Sequence, residues 1–153
     1  NTSAPNAINA AYYSGVIYFQ NNELDLALQD LKRVENVVPY KIEVPNWIAQ
    51  ILFRQKKNKE LLAYTEPIIA NPMGRKIDDL CLVTAEVYFF ESNYQKAAFY
   101  YDKFKNFRRG NLPEQVTFRY AYSLFKIDNF EKATPLFKTL ASQNSIIGQQ
   151  SAY

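Results

Sequence analysis

Few residues of this sequence are suited to catalysis. Cysteine occurs once, at Cys81, and histidine is absent. These two facts exclude disulfides within the chain, Cys/His zinc sites and every nucleophile that depends on a histidine base. Asp78, Asp79, Glu86 and Glu91 form the densest group of carboxylates, but nothing in their spacing places two of them around a substrate cleft. We therefore expect no catalytic residue, no metal site and no cofactor, with Cys81 buried among apolar residues and Asp78 and Asp79 in the first turn of a helix.

Two clusters of basic residues could bind nucleic acid. One contains Arg54, Lys56, Lys57 and Lys59, and the other contains Lys103, Lys105, Arg108 and Arg109. Both clusters fall near an expected helix end, where the helix dipole favours cations. Aromatic residues near the second cluster could stack on bases, so RNA binding is the alternative function. The net charge is only +3 and both halves of the chain have a similar balance, so nucleic acid is not the partner we expect.

The composition is that of a folded domain. The chain has 153 residues, of which 48% are hydrophobic and 16% aromatic. This length suits one domain with a continuous core, and the aromatic content argues against disorder. No apolar run approaches the roughly 18 residues that span a bilayer, so we expect no transmembrane segment.

The secondary-structure elements of this chain are expected to repeat along the sequence. Segments 93–97 and 129–133 read Asn-Tyr-Gln-Lys-Ala and Asn-Phe-Glu-Lys-Ala and lie 36 residues apart. A series of small residues recurs at nearly the same interval, at Gly15, Ala49, Ala85 and Ala121. A small residue at one place in every repeat allows two helices to approach closely. The sequence therefore predicts a repeat protein built from pairs of antiparallel helices.

Hydrophobic residues within each repeat have helical spacing, as at Leu24, Ala27, Leu28 and Leu31. Helices are predicted at 6–20, 24–38, 43–56, 58–70, 77–91, 94–107, 114–127 and 130–142. Glycine and proline mark the breaks between them, as they do after residue 107. The predicted fold class is all-α.

The repeats resemble the tetratricopeptide repeat (TPR). Ala85, Tyr88, Ala97 and Tyr101 show the pattern most clearly, while repeat 2 departs from it at the last two positions. Four repeats are assigned to 8–41, 42–75, 78–111 and 114–147 in a single domain of residues 1–153, with a further repeat beginning at 148–153. The resemblance implies a right-handed α-solenoid of about four helix-turn-helix repeats. It also implies that the chain is a fragment of a longer bacterial TPR array.

TPR proteins hold a peptide or a helix of a partner in a concave groove that is lined by the first helix of each repeat. The resemblance therefore implies a scaffold for protein–protein interaction rather than an enzyme. The candidate groove residues, transferred by register, are Tyr12, Phe19, Trp47, Gln50, Phe53, Glu86, Phe89, Phe90, Arg119, Tyr122 and Phe125. A groove this rich in aromatic residues favours an apolar peptide or an amphipathic helix as the partner.

Some TPR proteins hold the acidic C-terminal tails of chaperones with a clamp of cationic and amide side chains. Asp79 and Val83 stand at two of the equivalent positions here. Asp79 and Glu86 would repel a carboxylate ligand. A chaperone tail is therefore not the partner we expect.

Phe19, Phe53, Phe89 and Phe125 occupy the same register in all four repeats. They could pack between adjacent repeats, or they could form an apolar ladder along the groove. Trp47 leaves the same two alternatives open, as a binding anchor or as a packing residue.

The style of the repeats resembles that of bacterial envelope proteins. This resemblance favours the envelope or periplasm of a bacterium over the cytoplasm. The single cysteine is compatible with either compartment, so the sequence leaves the location unknown.

Overall fold

The computed structural model describes the backbone of residues 3–151 and the side chains of residues 4–144. Within residues 3–151 the chain forms α1 Ser3–Gln20, α2 Leu24–Lys32, a 3-10 turn Tyr40–Ile42, α3 Val44–Arg54, α4 Asn58–Ala70, α5 Asp78–Phe90, α6 Tyr94–Phe107, α7 Glu114–Lys126 and α8 Phe130–Ser151. No strand occurs within this range. The predicted all-α fold class is confirmed.

The chain divides into two compact units. Unit 1 (Asn1–Thr84) contains α1 to α4 and the first half of α5, and unit 2 (Ala85–Tyr153) contains the rest of α5 and α6 to α8. In unit 1, α1 packs on α2, and α3 packs on both α2 and α4. In unit 2, α7 packs on both α6 and α8. The helices of each of these pairs follow one another in the sequence, as in helical-repeat proteins.

The bounds of α4 and α6 agree with the predicted ones, but the prediction for α2 is wrong at its end. This helix ends at Lys32 rather than at 38. Beyond Lys32, the N–H groups of Arg33, Val34 and Val37 bond to carbonyls three residues back, which is a tighter turn than the α-helix. Val34 is fully buried all the same. Its burial explains why the hydrophobic pattern continues past the helix.

Helix α8 is longer than predicted. It runs to Ser151, beyond the predicted end at 142. Residues 152 and 153, where part of the predicted further repeat falls, lie outside the described residues. The further repeat, the repeat bounds and the single-domain assignment therefore stay predictions.

The first small residue of the repeat series stands where two helices meet closely. A Cβ atom at Gly15 of α1 would lie 2.7 Å from Cγ of Leu31 in α2. Ala49, Ala85 and Ala121, at the same place in the later repeats, are all fully buried. The structure thus confirms the reason given above for a small residue at Gly15.

The turn between the two helices of each repeat has a shared backbone geometry. One residue in each turn has a positive φ, and these residues are Asn22 (62°), Lys56 (58°), Ser92 (61°) and Asp128 (60°). The N–H of the following residue bonds to a carbonyl five residues back, for example from Glu23 to Tyr18 at 2.8 Å. This combination is the Schellman motif, which satisfies carbonyls at the helix end.

The asparagine that begins each repeated Asn-aromatic-x-Lys-Ala segment caps the helix that follows it. Oδ1 of Asn93 accepts a hydrogen bond from the N–H of Lys96 at 3.3 Å, at the start of α6. Oδ1 of Asn129 accepts from the N–H of Lys132 at 3.3 Å, at the start of α8. Each asparagine therefore supplies the acceptor that the first turn of a helix needs.

Candidate protein-binding surfaces

The candidate residues of unit 1 pack largely against one another. Phe19 is only 8% exposed. Its ring lies 5.0 Å from that of Trp47, edge to face, and the guanidinium of Arg54 lies 4.1 Å from its centre. Phe19 thus contacts the repeat that follows its own, and one side of its ring is covered by a cation.

The remaining candidates of unit 1 are half-buried. Tyr12 stacks on Tyr40 at 4.4 Å between ring centres, and Gln50 and Phe53 lie on α3 with part of each side chain accessible. Tyr12 is therefore held by the 3-10 turn. Gln50 and Phe53 keep surface that a partner could contact.

The charged candidates of unit 2 form a partly buried network. Glu86 of α5 and Arg119 of α7 make a salt bridge, and their side chains are only 12% and 23% exposed. The hydroxyl of Tyr101 in α6 donates a hydrogen bond to the other oxygen of Glu86 at 2.6 Å. Three helices are joined at this point. Because Glu86 and Arg119 neutralise each other, neither is available to bind a charged ligand. Removing one of them would leave the other without its partner.

Tyr101 is one of three tyrosines that donate to a carboxylate on a neighbouring helix. Burial is the main cause that raises the pKa of Tyr101 above its usual value, and the hydrogen bond to Glu86 raises it further. The pKa of Tyr120 is raised by burial and by its bond to Asp102 at 2.7 Å. Tyr64 has the same arrangement with Glu35, at 2.8 Å. These phenols therefore stay protonated in the folded protein well into the alkaline range.

An aromatic cluster surrounds the network in unit 2. The rings of Phe89 and Tyr122 lie 6.0 Å apart, edge to face. Phe90 is 60% exposed, and Arg119 lies 4.9 Å from the centre of its ring. Phe118 stacks on Tyr122 at 6.0 Å. Unit 2 therefore presents large apolar rings to solvent beside a partly buried ion pair.

The four phenylalanines of the shared register differ in exposure. Phe19 and Phe89 each contact a residue of the next repeat. Phe53 and Phe89 are half-buried, whereas Phe125 is 50% exposed and its ring meets only Phe130, at 5.5 Å, among the aromatic contacts of the described residues. Phe19 and Phe89 therefore pack against the next first helix, whereas Phe125 in repeat 4 is half exposed.

Repeat 4 contains an apolar cleft between α7 and α8, with a volume of about 590 Å³. Its apolar lining consists of Tyr122, Phe125, Phe130, Ala133, Phe137 and Ala141. Thr134 and Lys138 also line it and supply polar groups. We call this site the repeat-4 cleft. Its size and its aromatic walls suit the apolar face of a helix.

Two of the cleft phenylalanines were not candidates from the sequence. Phe130 begins α8 within the second capped segment, and Phe137 is the repeat-pattern aromatic of repeat 4. Neither was a candidate because the resemblance places the groove on the first helix of each repeat, whereas both lie on the second helix of repeat 4. Their residue types alone do not distinguish them from packing residues.

The basic clusters are associated with aromatic rings of the chain itself. Lys103 lies 5.0 Å from the ring centre of Phe99, and Arg108 lies 5.4 Å from that of Phe104. Lys105 stands in the last turn of α6, as predicted from the helix dipole. Nothing in the described residues or in the comparisons below supports RNA binding.

The residues considered for catalysis lie in structural positions. Cys81 is fully buried, and Asp78 and Asp79 stand in the first turn of α5, as predicted. No group of three possible metal ligands occurs among the described residues. Within the same part of the chain, no helix combines the length and the apolar character that crossing a membrane requires.

The fold and the sites define a helical-repeat protein with apolar, aromatic surfaces. No protein-family model matches the sequence, and no curated protein sequence matches it closely. The fold is similar to that of solved structures of MamA, a protein with the TPR fold. The structure of MamA from AMB-1 has a TM-score of 0.69 and 16% identity over 90% of this chain and 73% of its own. For MamA from MSR-1 the TM-score is 0.64 and the identity 17%, over 90% of this chain and 77% of its own.

These similarities show the fold alone. The chain has the all-α, TPR-like helical-repeat architecture that the sequence predicts.

Proposed function

We propose that this chain is a non-enzymatic scaffold that binds an amphipathic helix or a peptide of a partner protein. The repeat-4 cleft is the observation that carries the proposal. It is nearly all apolar in its lining, and it is bordered by rings that are exposed in the protein alone. Clefts with an apolar, aromatic lining and a few polar groups are typical of binding sites.

The cleft residues have distinct roles in this proposal. Phe125 and Phe137 provide walls for the apolar side chains of the bound helix. Aromatic residues are effective anchors because they bury a large area with few rotatable bonds. Lys138 and Thr134 donate hydrogen bonds to hydroxyl or carbonyl groups of the ligand. Affinity thus comes from the apolar walls and orientation from the polar groups.

The other candidates have supporting roles. Phe89, Phe90 and Tyr122 extend the apolar surface of unit 2, while Glu86 and Arg119 hold its helices together. In unit 1 we assign partner contact to Gln50 and Phe53 on α3, with Tyr12, Phe19 and Trp47 holding that helix in place.

The test is affinity capture from native extract with three forms of the protein. The wild type is compared with Phe125→Lys, which places a charge at the cleft. Phe99→Lys is the matched control, because Phe99 is an equally exposed phenylalanine (55%) on α6 that does not line the cleft. Cross-linking and mass spectrometry identify the bound segment, and a synthetic peptide of that segment is then titrated against all three forms.

We expect one amphipathic segment to bind the wild type and the control, with Phe125→Lys binding at least about tenfold more weakly. Equal binding by all three forms contradicts a site in the cleft. Recovery of nucleic acid alone, with an affinity that falls steeply as salt rises, would replace this proposal by RNA binding.

A further inference from the structure

The positive charge of this chain is concentrated in residues 99–112, which comprise the second half of α6 and most of the loop that follows it. This segment contains four of the 18 basic residues of the chain and one of its 15 acidic residues. Its net charge of +3 therefore equals that of the whole chain, and the charges of all other residues cancel. The similar balance of the two halves of the chain conceals this concentration.

The solvent face of α6 also carries two large apolar rings. Phe99 is 55% exposed and Phe107 is 53% exposed. They stand eight residues apart, so they project from one side of the helix and lie about 12 Å apart along its axis. Lys103 stands between them, one turn from each. This side of α6 therefore combines apolar rings with positive charge.

The exposure of this face follows from the way α6 packs inside the chain. Helix α6 packs on α7, and its buried residues include Ala97, Tyr101 and Phe104, which lie on the side of the helix opposite Phe99 and Phe107. The second helices of the repeats before and after it, α4 and α8, both belong to the chain. Each repeat of a helical array contacts only the repeats beside it. Additional repeats at either end would therefore leave this face of α6 uncovered.

The single acidic residue of the segment is bonded within the fold. Oδ1 of Asp102 accepts a hydrogen bond from the hydroxyl of Tyr120 in α7 at 2.7 Å. The basic residues Lys105 and Arg109, in contrast, are exposed. The carboxylate is thus directed to the neighbouring helix, while the cations are directed to solvent.

This combination is complementary to the surface of an anionic lipid bilayer. Apolar rings on an interfacial helix enter the boundary between headgroups and acyl chains, and the basic side chains beside them meet the lipid phosphates. Helix α1, whose 18 residues include no charged one, lacks the electrostatic half of such a contact. Among the exposed apolar helix faces, that of α6 is therefore the one suited to an anionic membrane.

The geometry of the rings favours lipid over nucleic acid. A base binds by stacking on a free face of an aromatic ring. One face of Phe99 is covered by the ammonium group of Lys103, which lies 5.0 Å from the ring centre. The ring of Tyr100 lies 5.0 Å from that of Phe99, edge to face. A ring that enters a bilayer needs no free face, so these contacts do not oppose membrane binding.

We propose that residues 99–112 bind the anionic surface of a lipid bilayer, with α6 lying along the membrane. We call this segment the α6 surface. Phe99 and Phe107 enter the interfacial region, and Lys103, Lys105 and Arg109 stay at the level of the phosphates. None of these residues lines the repeat-4 cleft, so the proposal goes beyond the proposed function. A chain bound in this way would hold the partner of its cleft beside a membrane.

The expected strength follows from the charges and the rings. Each basic residue close to an anionic bilayer strengthens binding about fivefold. Burying the exposed part of one phenylalanine ring adds about threefold to tenfold. The electrostatic part is screened by salt over a Debye length of about 10 Å. Binding should therefore require anionic lipid and weaken as the salt concentration rises.

Flotation of the whole chain with lipid vesicles tests the proposal. Vesicles of phosphatidylcholine alone are compared with vesicles that contain about 30% phosphatidylserine, at about 50 mM and about 300 mM salt. The charge variant is Lys105→Gln/Arg109→Gln. Its matched control is Lys57→Gln/Lys59→Gln, which removes two exposed cations from the other basic cluster.

The apolar part of the contact is tested with Phe99→Ala and Phe107→Ala. Phe90→Ala is their control, because Phe90 is 60% exposed but lies on α5, outside the α6 surface. Far-UV circular dichroism and thermal unfolding check that every variant is folded like the wild type. A single-stranded RNA oligonucleotide is titrated against the wild type in parallel.

We expect the wild type to bind the phosphatidylserine vesicles, and to bind them more weakly at the higher salt concentration. Phosphatidylcholine vesicles should bind at least about tenfold more weakly. Lys105→Gln/Arg109→Gln should lose about 10- to 30-fold in binding, and each of Phe99→Ala and Phe107→Ala about threefold to tenfold. Both controls should stay within about threefold of the wild type.

A wild type that binds neither kind of vesicle, or both kinds equally, overturns the proposal. It is also overturned if the folded charge variant binds like the wild type, or if the control pair loses as much as the charge variant. RNA binding without vesicle binding would assign the basic residues to nucleic acid instead. Each of these results leaves capture of a partner through Phe125 unaffected, so failure here is distinct from failure of the proposed function.

Discussion

Alkaline pH should destabilise this protein through its three carboxylate-bonded tyrosines. Tyr64, Tyr101 and Tyr120 have a pKa raised by burial and by the hydrogen bond to a carboxylate. The folded state therefore favours the protonated phenol. A raised folded-state pKa stabilises the fold fully below the pKa of an unfolded tyrosine, about 10, and this stabilisation is lost as the pH rises above that value.

The size of the loss follows from proton linkage. At alkaline pH such a phenol ionises in the unfolded chain but stays protonated in the folded protein. For each such phenol the free energy of unfolding is therefore lower than at neutral pH, by about 0.4 kcal/mol at pH 10 and about 1.4 kcal/mol at pH 11. All three tyrosines have a raised pKa in the folded protein, so each can contribute a loss of up to this size. We expect the three together to remove about 3 to 4 kcal/mol by pH 11, a large part of the stability of a typical domain.

Urea unfolding followed by far-UV circular dichroism at about pH 8 and pH 11 measures this loss. The variant Tyr101→Phe removes the hydroxyl that donates to Glu86. It should be about 1 to 3 kcal/mol less stable than the wild type at pH 8. Between pH 8 and pH 11 it should lose about 1.4 kcal/mol less, because one of the three phenols is gone.

Tyr13→Phe is the matched control, since Tyr13 is exposed and has no carboxylate partner among the hydrogen bonds described above. It should follow the wild type at both pH values. If Tyr101→Phe loses as much stability as the wild type between pH 8 and pH 11, the raised pKa of Tyr101 is refuted.

Three further substitutions test the packing and the turns by the same unfolding assay. Gly15→Ala should destabilise the protein by about 1 to 2 kcal/mol, because the new Cβ would lie 2.7 Å from Cγ of Leu31. The double variant Gly15→Ala/Leu31→Val shortens that neighbour and should restore part of the lost stability. Purely additive effects of the two substitutions would argue against the clash. Oγ1 of Thr84 lies 2.7 Å both from the carbonyl of Leu80 and from Oγ1 of Thr65, so Thr65 must be the donor of the pair. Thr84→Val should therefore cost about 1 kcal/mol more than Thr65→Val, and the opposite order would reverse this assignment. Lys56→Gly should stabilise by about 0.5 to 1 kcal/mol, since Lys56 has a φ of 58°; a loss of stability would show that its side chain matters more than its backbone.

The repeat itself could be read from the sequence because it depends on spacing. Gly15 and its equivalents mark the close approach of two helices, and that requirement follows from packing alone. The end of α2 could not be read, because Val34 continues the hydrophobic pattern while the backbone has already tightened. Hydrophobic period reports which side of the chain is buried, and not which hydrogen bonds the backbone makes.

The candidate surfaces were predictable only by register. Glu86 and Arg119 stand 33 residues apart in the sequence and were treated as independent groove residues, whereas the structure joins them in a salt bridge. Phe125 shares its register with Phe89, but only Phe89 meets a following first helix. Such differences depend on which neighbour each repeat has, and this information is not contained in the residue itself.

The absence of charge in α1 has a thermodynamic consequence. A contact that this helix makes gains mainly from the release of water from apolar surface, which weakens on cooling and carries a negative heat-capacity change. Ion pairs contribute little, so moderate salt should change its strength only slightly. Binding through this helix should therefore be weaker at about 4 °C than at about 25 °C.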